Sequence, residues 1–253
     1  MDALKNMFGF LTGNTNQIDK PIFTKPYIDK THDMLELARR LDQAPEESKP
    51  LFRDAMESLA SRVKSHQAVN DLLANSGLPI LILYDLHILC SAGSASIDYV
   101  ILSNRFLVTI SCPSRQDLLT AEESRATAAP GEQRRFSASE HSAYILRELL
   151  KEEHMVNKKI LQMIWPITVL TGVSGDSVFE EPLSSVPSAF SKLYPEIHRT
   201  LTVKPEDFIK QIKQLFQFDD FFSWLTNNEI LAISDLLIKY DKSSSCSADE
   251  QKG

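Results

Sequence analysis

Ile97-Asp98-Tyr99-Val100-Ile101-Leu102, a polar turn around Asn104-Arg105, and Phe106-Leu107-Val108-Thr109-Ile110-Ser111-Cys112 decide how this chain folds. Both arms are rich in β-branched and aromatic residues, and the polar pair between them is a hairpin signal. A two-residue loop centred on Asn104-Arg105 sets Asp98 directly opposite Ser111, with both side chains on one face. Pro113 follows two residues further on.

Upstream, Pro79 to Cys90 starts as a continuous apolar run and then alternates. It reads as a buried strand leading into the hairpin through Ser91-Ala92-Gly93-Ser94, with Asp85 and His87 on one face and Tyr84, Leu86 and Ile88 on the other. Before it, Phe52, Met56, Leu59, Val63, His66, Val69 and Leu73 recur every three or four residues. They mark an amphipathic helix from near Pro50 to Ala74, packed on the sheet and closed by Gly77 in a left-handed cap. A shorter helix is expected at about 31–43, and residues 1–28, broken by Gly9, Gly13, Pro21 and Pro26, read as irregular.

Downstream, 113–136 is poor in large apolar groups and reads as a surface loop. Ser137 and Glu140 have capping-box spacing and open a helix to about Glu153. Trp165 to Val173 reads as a buried strand, 174–198 as a second loop, and Thr200 to Val203 as a short strand. Pro205-Glu206-Asp207 starts a helix to about Phe216. Thr226 and Glu229 repeat the capping-box pattern before a last helix to about Tyr240. A helix crossing between strands predicts an α/β (α+β) fold, a mixed β-sheet flanked by helices.

With 253 residues, 43% of them hydrophobic and 24% charged, the chain can bury a large core. Its net charge of −7 disfavours a surface coated by nucleic acid or anionic lipid. A local basic groove would draw on Arg134, Arg135, Lys158 and Lys159. Three cysteines (Cys90, Cys112 and Cys246) supply neither a disulfide framework nor zinc spacing, and a reducing cytoplasm fits them. No apolar run is long enough to span a membrane. Gly-rich phosphate loops, Gly-x-Ser-x-Gly elbows and His-Glu-x-x-His pairs are absent.

The order and spacing of these segments resemble the nuclease-related domain (NERD) family of the PD-(D/E)XK nuclease superfamily, in particular a bacterial group with a helical N-terminal extension. The resemblance runs over roughly residues 20–216. It rests on Lys20-Pro-Ile-Phe23, Ala44-Pro-Glu-Glu47, Asn75-Ser-Gly-Leu-Pro-Ile80, Leu83-Tyr-Asp-Leu86, Ser96-Ile-Asp-Tyr-Val-Ile101 and Phe136-Ser137. It implies a restriction-endonuclease-like core at 76–216 with a helical N-terminal extension at 1–75; beyond it, the residue pattern itself gives a C-terminal helical element at 217–240 and a disordered tail at 241–253.

Residue by residue, the family's strand aspartate matches Asp98. Its glutamate and lysine, two residues apart on the next strand, match Ser111 and Pro113. Its helical glutamate matches His66, with Ser65 where a glycine is usual. Such hydrolysis needs a divalent cation held by carboxylates, and each missing electrostatic element costs ~10²–10³ in rate. The resemblance therefore implies a degenerate, catalytically inactive member, a pseudoenzyme that needs no cofactor and binds a protein or nucleic acid. The last helix, with Phe221, Phe222 and Trp224 upstream of it, either covers the sheet or serves as the docking element.

Two alternatives stay open. One is a metal-dependent DNA endonuclease with migrated ligands, in which Asp98 and Asp85, or a histidine such as His66 or His87, hold Mg²⁺ or Mn²⁺ and Arg115 replaces the lysine. The other is a nucleic-acid-binding module.

Overall fold

The computed structural model describes residues 18–113, 138–155, 158–171, 200–217 and 225–242. In it the central hairpin, β3 (Gly93–Leu102) and β4 (Leu107–Ser111), has the expected register, with Leu102 opposite Leu107 and Tyr99 opposite Ile110. The Ser103 amide donates to the Phe106 carbonyl across Asn104-Arg105. The buried Ser103 hydroxyl accepts from the Arg105 and Phe106 amides, so the turn satisfies its own polar groups.

Around this hairpin lies a six-stranded mixed sheet whose strand order follows the chain, β1 (Ile22–Lys25), β2 (Leu81–Cys90), β3, β4, β5 (Ile164–Val169) and β6 (Leu201–Val203). The inner pairs β2–β3 and β3–β4 are antiparallel; β1–β2, β4–β5 and β5–β6 are parallel. Each parallel step requires a crossover. Helices α1 (Thr31–Gln43) and α2 (Lys49–Ala74) supply the first, and α3 (Ala138–Glu152) with the one-turn α4 (Lys158–Leu161) supplies the second. Helices α5 (Pro205–Leu215) and α6 (Asn227–Tyr240) complete the α/β architecture that the sequence pattern predicts.

Two apolar cores result. Val69 and Leu73 of α2 and Phe208, Ile212 and Leu215 of α5 cover one face of the sheet. Ile145, Leu146 and Leu149 of α3 and Ile230, Ile233 and Leu237 of α6 cover the other.

Three expectations need correction. Residues 22–25, read as irregular because of Pro21 and Pro26, form the edge strand β1; prolines are tolerated at the ends of an edge strand. The α2 stripe is not buried along its whole length. Its buried residues begin at Ser65, while Phe52, Met56 and Leu59 are half-buried in the part of α2 that runs with α1. The faces assigned to β2 also change midway. Asp85 has φ +52°, a left-handed conformation, and the ladder between β2 and β3 skips the step from Asp85 to Asp98. Tyr84 therefore packs on the α2 side and Leu86 and Ile88 on the α3 side. The inversion recurs opposite, where Ile97 and Tyr99 join different cores.

The stretch set apart as an N-terminal extension contributes β1 and the core residues of α2. Beyond α6, Asp241 bridges to Ile88. Ser137, Arg115, Arg134, Arg135, the segments 114–137 and 172–199, the aromatics Phe221, Phe222 and Trp224, and the stretch from 243 lie outside the described residues. Among the described residues, no helix is long and apolar enough to cross a membrane.

Candidate functional site

The β3–β4 ladder stops at Tyr99 and Ile110, one step short of Asp98 and Ser111. Released from regular alternation, the Asp98 side chain turns toward α2 rather than sharing a face with Ser111. Its Oδ2 accepts the Cys112 amide at 2.6 Å. Its Oδ1 lies 3.4 Å from His66 Nε2. Thus the histidine that the resemblance aligns with the helical glutamate does arrive beside the aligned aspartate.

His66 is built into the α2 face of the sheet. It is 2% exposed and stands between two tyrosine rings, edge-on to Tyr84 with centroids 5.6 Å apart and to Tyr99 at 6.1 Å. Its Nδ1 shares a 3.0 Å hydrogen bond with the Tyr84 hydroxyl. The Tyr99 hydroxyl donates to the His66 carbonyl at 2.7 Å, which pins this turn of α2 to the hairpin. Nε2 is buried with no hydrogen bond of good geometry; what it faces is Asp98 Oδ1 at 3.4 Å.

Cys112, one residue past β4, completes the group. Its Sγ, His66 nitrogen and Asp98 oxygen all lie within 4.8 Å of one another. Sequence reasoning took Cys112 as a small apolar strand residue; the hairpin register, which brings it diagonal to Asp98, was the signal available. Arg62 was missed as well, although it precedes His66 by one helical turn.

Burial works against the Asp98 charge, but the His66 ring, the Cys112 amide and the Arg62 guanidinium outweigh it and hold the pKa below the ordinary aspartate value. The Cys112 thiol is pushed the other way, well up, by burial and by the Asp98 charge. A thiol kept protonated in this manner is a poor nucleophile.

The remaining candidates sit elsewhere. Asp85 pairs with Lys30, Oδ2 to Nζ 3.1 Å, and does not join the group around Asp98. His87 Nδ1 bonds the Ser96 hydroxyl at 3.0 Å on an exposed part of β2. Ser111 ends β4 opposite Thr168, and Pro113 follows it, supplying no charge. A groove of about 670 Å³ between α2 and α5, lined by Ala68, Asp71, Leu72, Pro205, Ile209 and Lys213 among others, contains none of these residues.

The ligand types that gather around Asp98 among the described residues are therefore a nitrogen and a sulfur, with no second carboxylate in the group, while the Arg62 guanidinium acts on it from α2. No protein-family model, curated protein or solved structure matches the chain.

Proposed function

We propose that this chain is a nuclease-related α/β protein that no longer hydrolyses phosphodiesters and acts by binding. The observation that carries the reading is the surroundings of Asp98. Its Oδ2 is taken by a backbone amide of its own hairpin, and its Oδ1 faces a histidine. Mg²⁺ wants oxygen ligands in octahedral array and keeps several waters, which a single internally bonded carboxylate supports poorly. The positions that would supply an acid and a cation hold Ser111 and Pro113.

A net charge of −7 favours a protein over a nucleic acid as the partner, because a polyanion requires clustered cations. The free thiols of Cys90 and Cys112 accord with a reducing, cytoplasmic setting. Incubation with single- and double-stranded DNA and with RNA, in Mg²⁺ or Mn²⁺, should give no cleavage above a protein-free blank. Cleavage that disappears in Asp98→Ala would overturn the proposal. Fluorescence anisotropy with labelled DNA checks the partner class; tight binding that weakens steeply with salt would reassign the chain as a nucleic-acid-binding module.

The arrival of His66 beside Asp98 favours one second reading, a metal-dependent endonuclease whose ligands have migrated. It requires Mg²⁺- or Mn²⁺-dependent turnover, so the same cleavage assay decides between the two.

A further inference from the structure

We propose that His66 Nε2, Asp98 Oδ1 and Cys112 Sγ form a binding site for a borderline transition-metal ion, Zn²⁺ foremost, tying α2 to the central hairpin. The inference goes beyond the reading above and holds whether or not the chain cuts phosphodiesters.

The first argument is the orphaned nitrogen. His66 is 2% exposed, and its Nε2 has no hydrogen bond. A buried polar atom left in this way costs free energy unless something occupies it. In the tautomer with its proton on Nδ1, toward the Tyr84 hydroxyl, Nε2 can give its lone pair to a cation shared with Asp98 Oδ1, 3.4 Å away.

Geometry supplies the second argument. Two bonds of about 2.0–2.2 Å to a tetrahedral ion set their donor atoms roughly 3.4 Å apart. Nε2 and Oδ1 stand at 3.4 Å. Sγ lies within 4.8 Å of both. A Zn–S bond of about 2.3 Å puts sulfur roughly 3.6 Å from the other donors, so Sγ has at most about 1.2 Å to travel, within reach of a side-chain rotation.

Outer contacts that orient metal ligands are already present. Tyr84 holds the far side of the imidazole, and the Cys112 amide holds the other carboxylate oxygen. The Asp98 side chain is 27% exposed, which gives an ion a way in and leaves a fourth position for water. A nitrogen, an oxygen and a sulfur together select Zn²⁺, Co²⁺ or Cd²⁺ over Mg²⁺ or Ca²⁺. On binding, the Cys112 thiol proton passes to solvent as the S–metal bond forms, so affinity rises with pH.

The test uses the full chain carrying Cys90→Ser and Cys246→Ser, which leaves Cys112 as its sole thiol. Reduced, chelator-stripped protein is titrated with Co²⁺. The expected result is a near-ultraviolet thiolate-to-cobalt charge-transfer band that saturates at one equivalent and is displaced by Zn²⁺ but not by Mg²⁺. Adding Cys112→Ser should abolish the band, and Tyr84→Phe should weaken affinity ~10–100-fold through loss of the imidazole's outer contact. Absence of the band in the single-thiol chain, or its survival in Cys112→Ser, overturns the site. Neither result bears on the cleavage assay.

Discussion

Asp85 holds φ at +52° inside a ten-residue strand, a conformation that aspartate tolerates and β-branched residues do not. The inversion of sheet faces at Tyr84 and Leu86 depends on it. Asp85→Asn keeps the tolerance and loses only a partly exposed ion pair with Lys30, worth about 1 kcal/mol or less. Asp85→Val should cost a further ~1–3 kcal/mol in strain. Urea denaturation of the two variants measures the difference; equal midpoints would show that the left-handed residue does not control the inversion. The same inversion is what delivers Asp98 to His66, so one backbone angle on β2 conditions the site on β3.

At the scale of elements, α6 shows how far local chemistry can be read in advance. Thr226 and Glu229 form the expected capping box. The Thr226 hydroxyl accepts the Glu229 amide, and the Glu229 carboxylate accepts the Thr226 amide at 2.7 Å. Thr226→Ala should destabilise the chain by about 1 kcal/mol in chemical denaturation. The backbone and hydroxyl hydrogen bonds from Thr226 lower the Glu229 pKa below its ordinary 4.5. A lowered folded-state value gives stability that is complete above the unfolded value and is lost as pH falls through the folded one. Glu229→Gln should therefore flatten a small decline in Tm between about pH 6 and pH 3, and an unchanged profile would count against the cap. Periodicity and capping signals placed α1 to α3, β2 to β6, α5 and α6 because these encode themselves locally. Strand β1 escaped because four residues between prolines carry no period, and the face change on β2 escaped because aspartate does not announce a left-handed backbone. At the site, alignment of motifs brought out Asp98 and His66. Cys112 was within reach of the hairpin register, whereas Tyr84 joined them only through tertiary packing, which spacing along a chain does not record.

For the whole molecule, the two ends of the fold meet. Lys25 of β1 and Asp241 beyond α6 pair at 2.6 Å, and the other Asp241 oxygen accepts the His87 amide of β2 at 2.9 Å. Ser234 of α6 donates to Thr24 of β1 at 2.9 Å. Both partners of the ion pair are largely buried, so Asp241→Ala leaves a charge and an amide under-compensated and should cost ~1–3 kcal/mol. An unaltered urea midpoint would mean that the closure is not stabilising. Among the described residues the sheet's margins are its shortest strands, four residues at β1 and three at β6. Pro21 and Pro26 bound the first margin, the backbone of Asp241 and Lys242 covers β2 beyond it, and Pro166 lies in β5 next to the second. Such borders withhold the row of amides and carbonyls that an incoming peptide needs to add itself as another strand, the route by which sheets polymerise. Association by backbone zippering is thus discouraged at either rim of the described sheet.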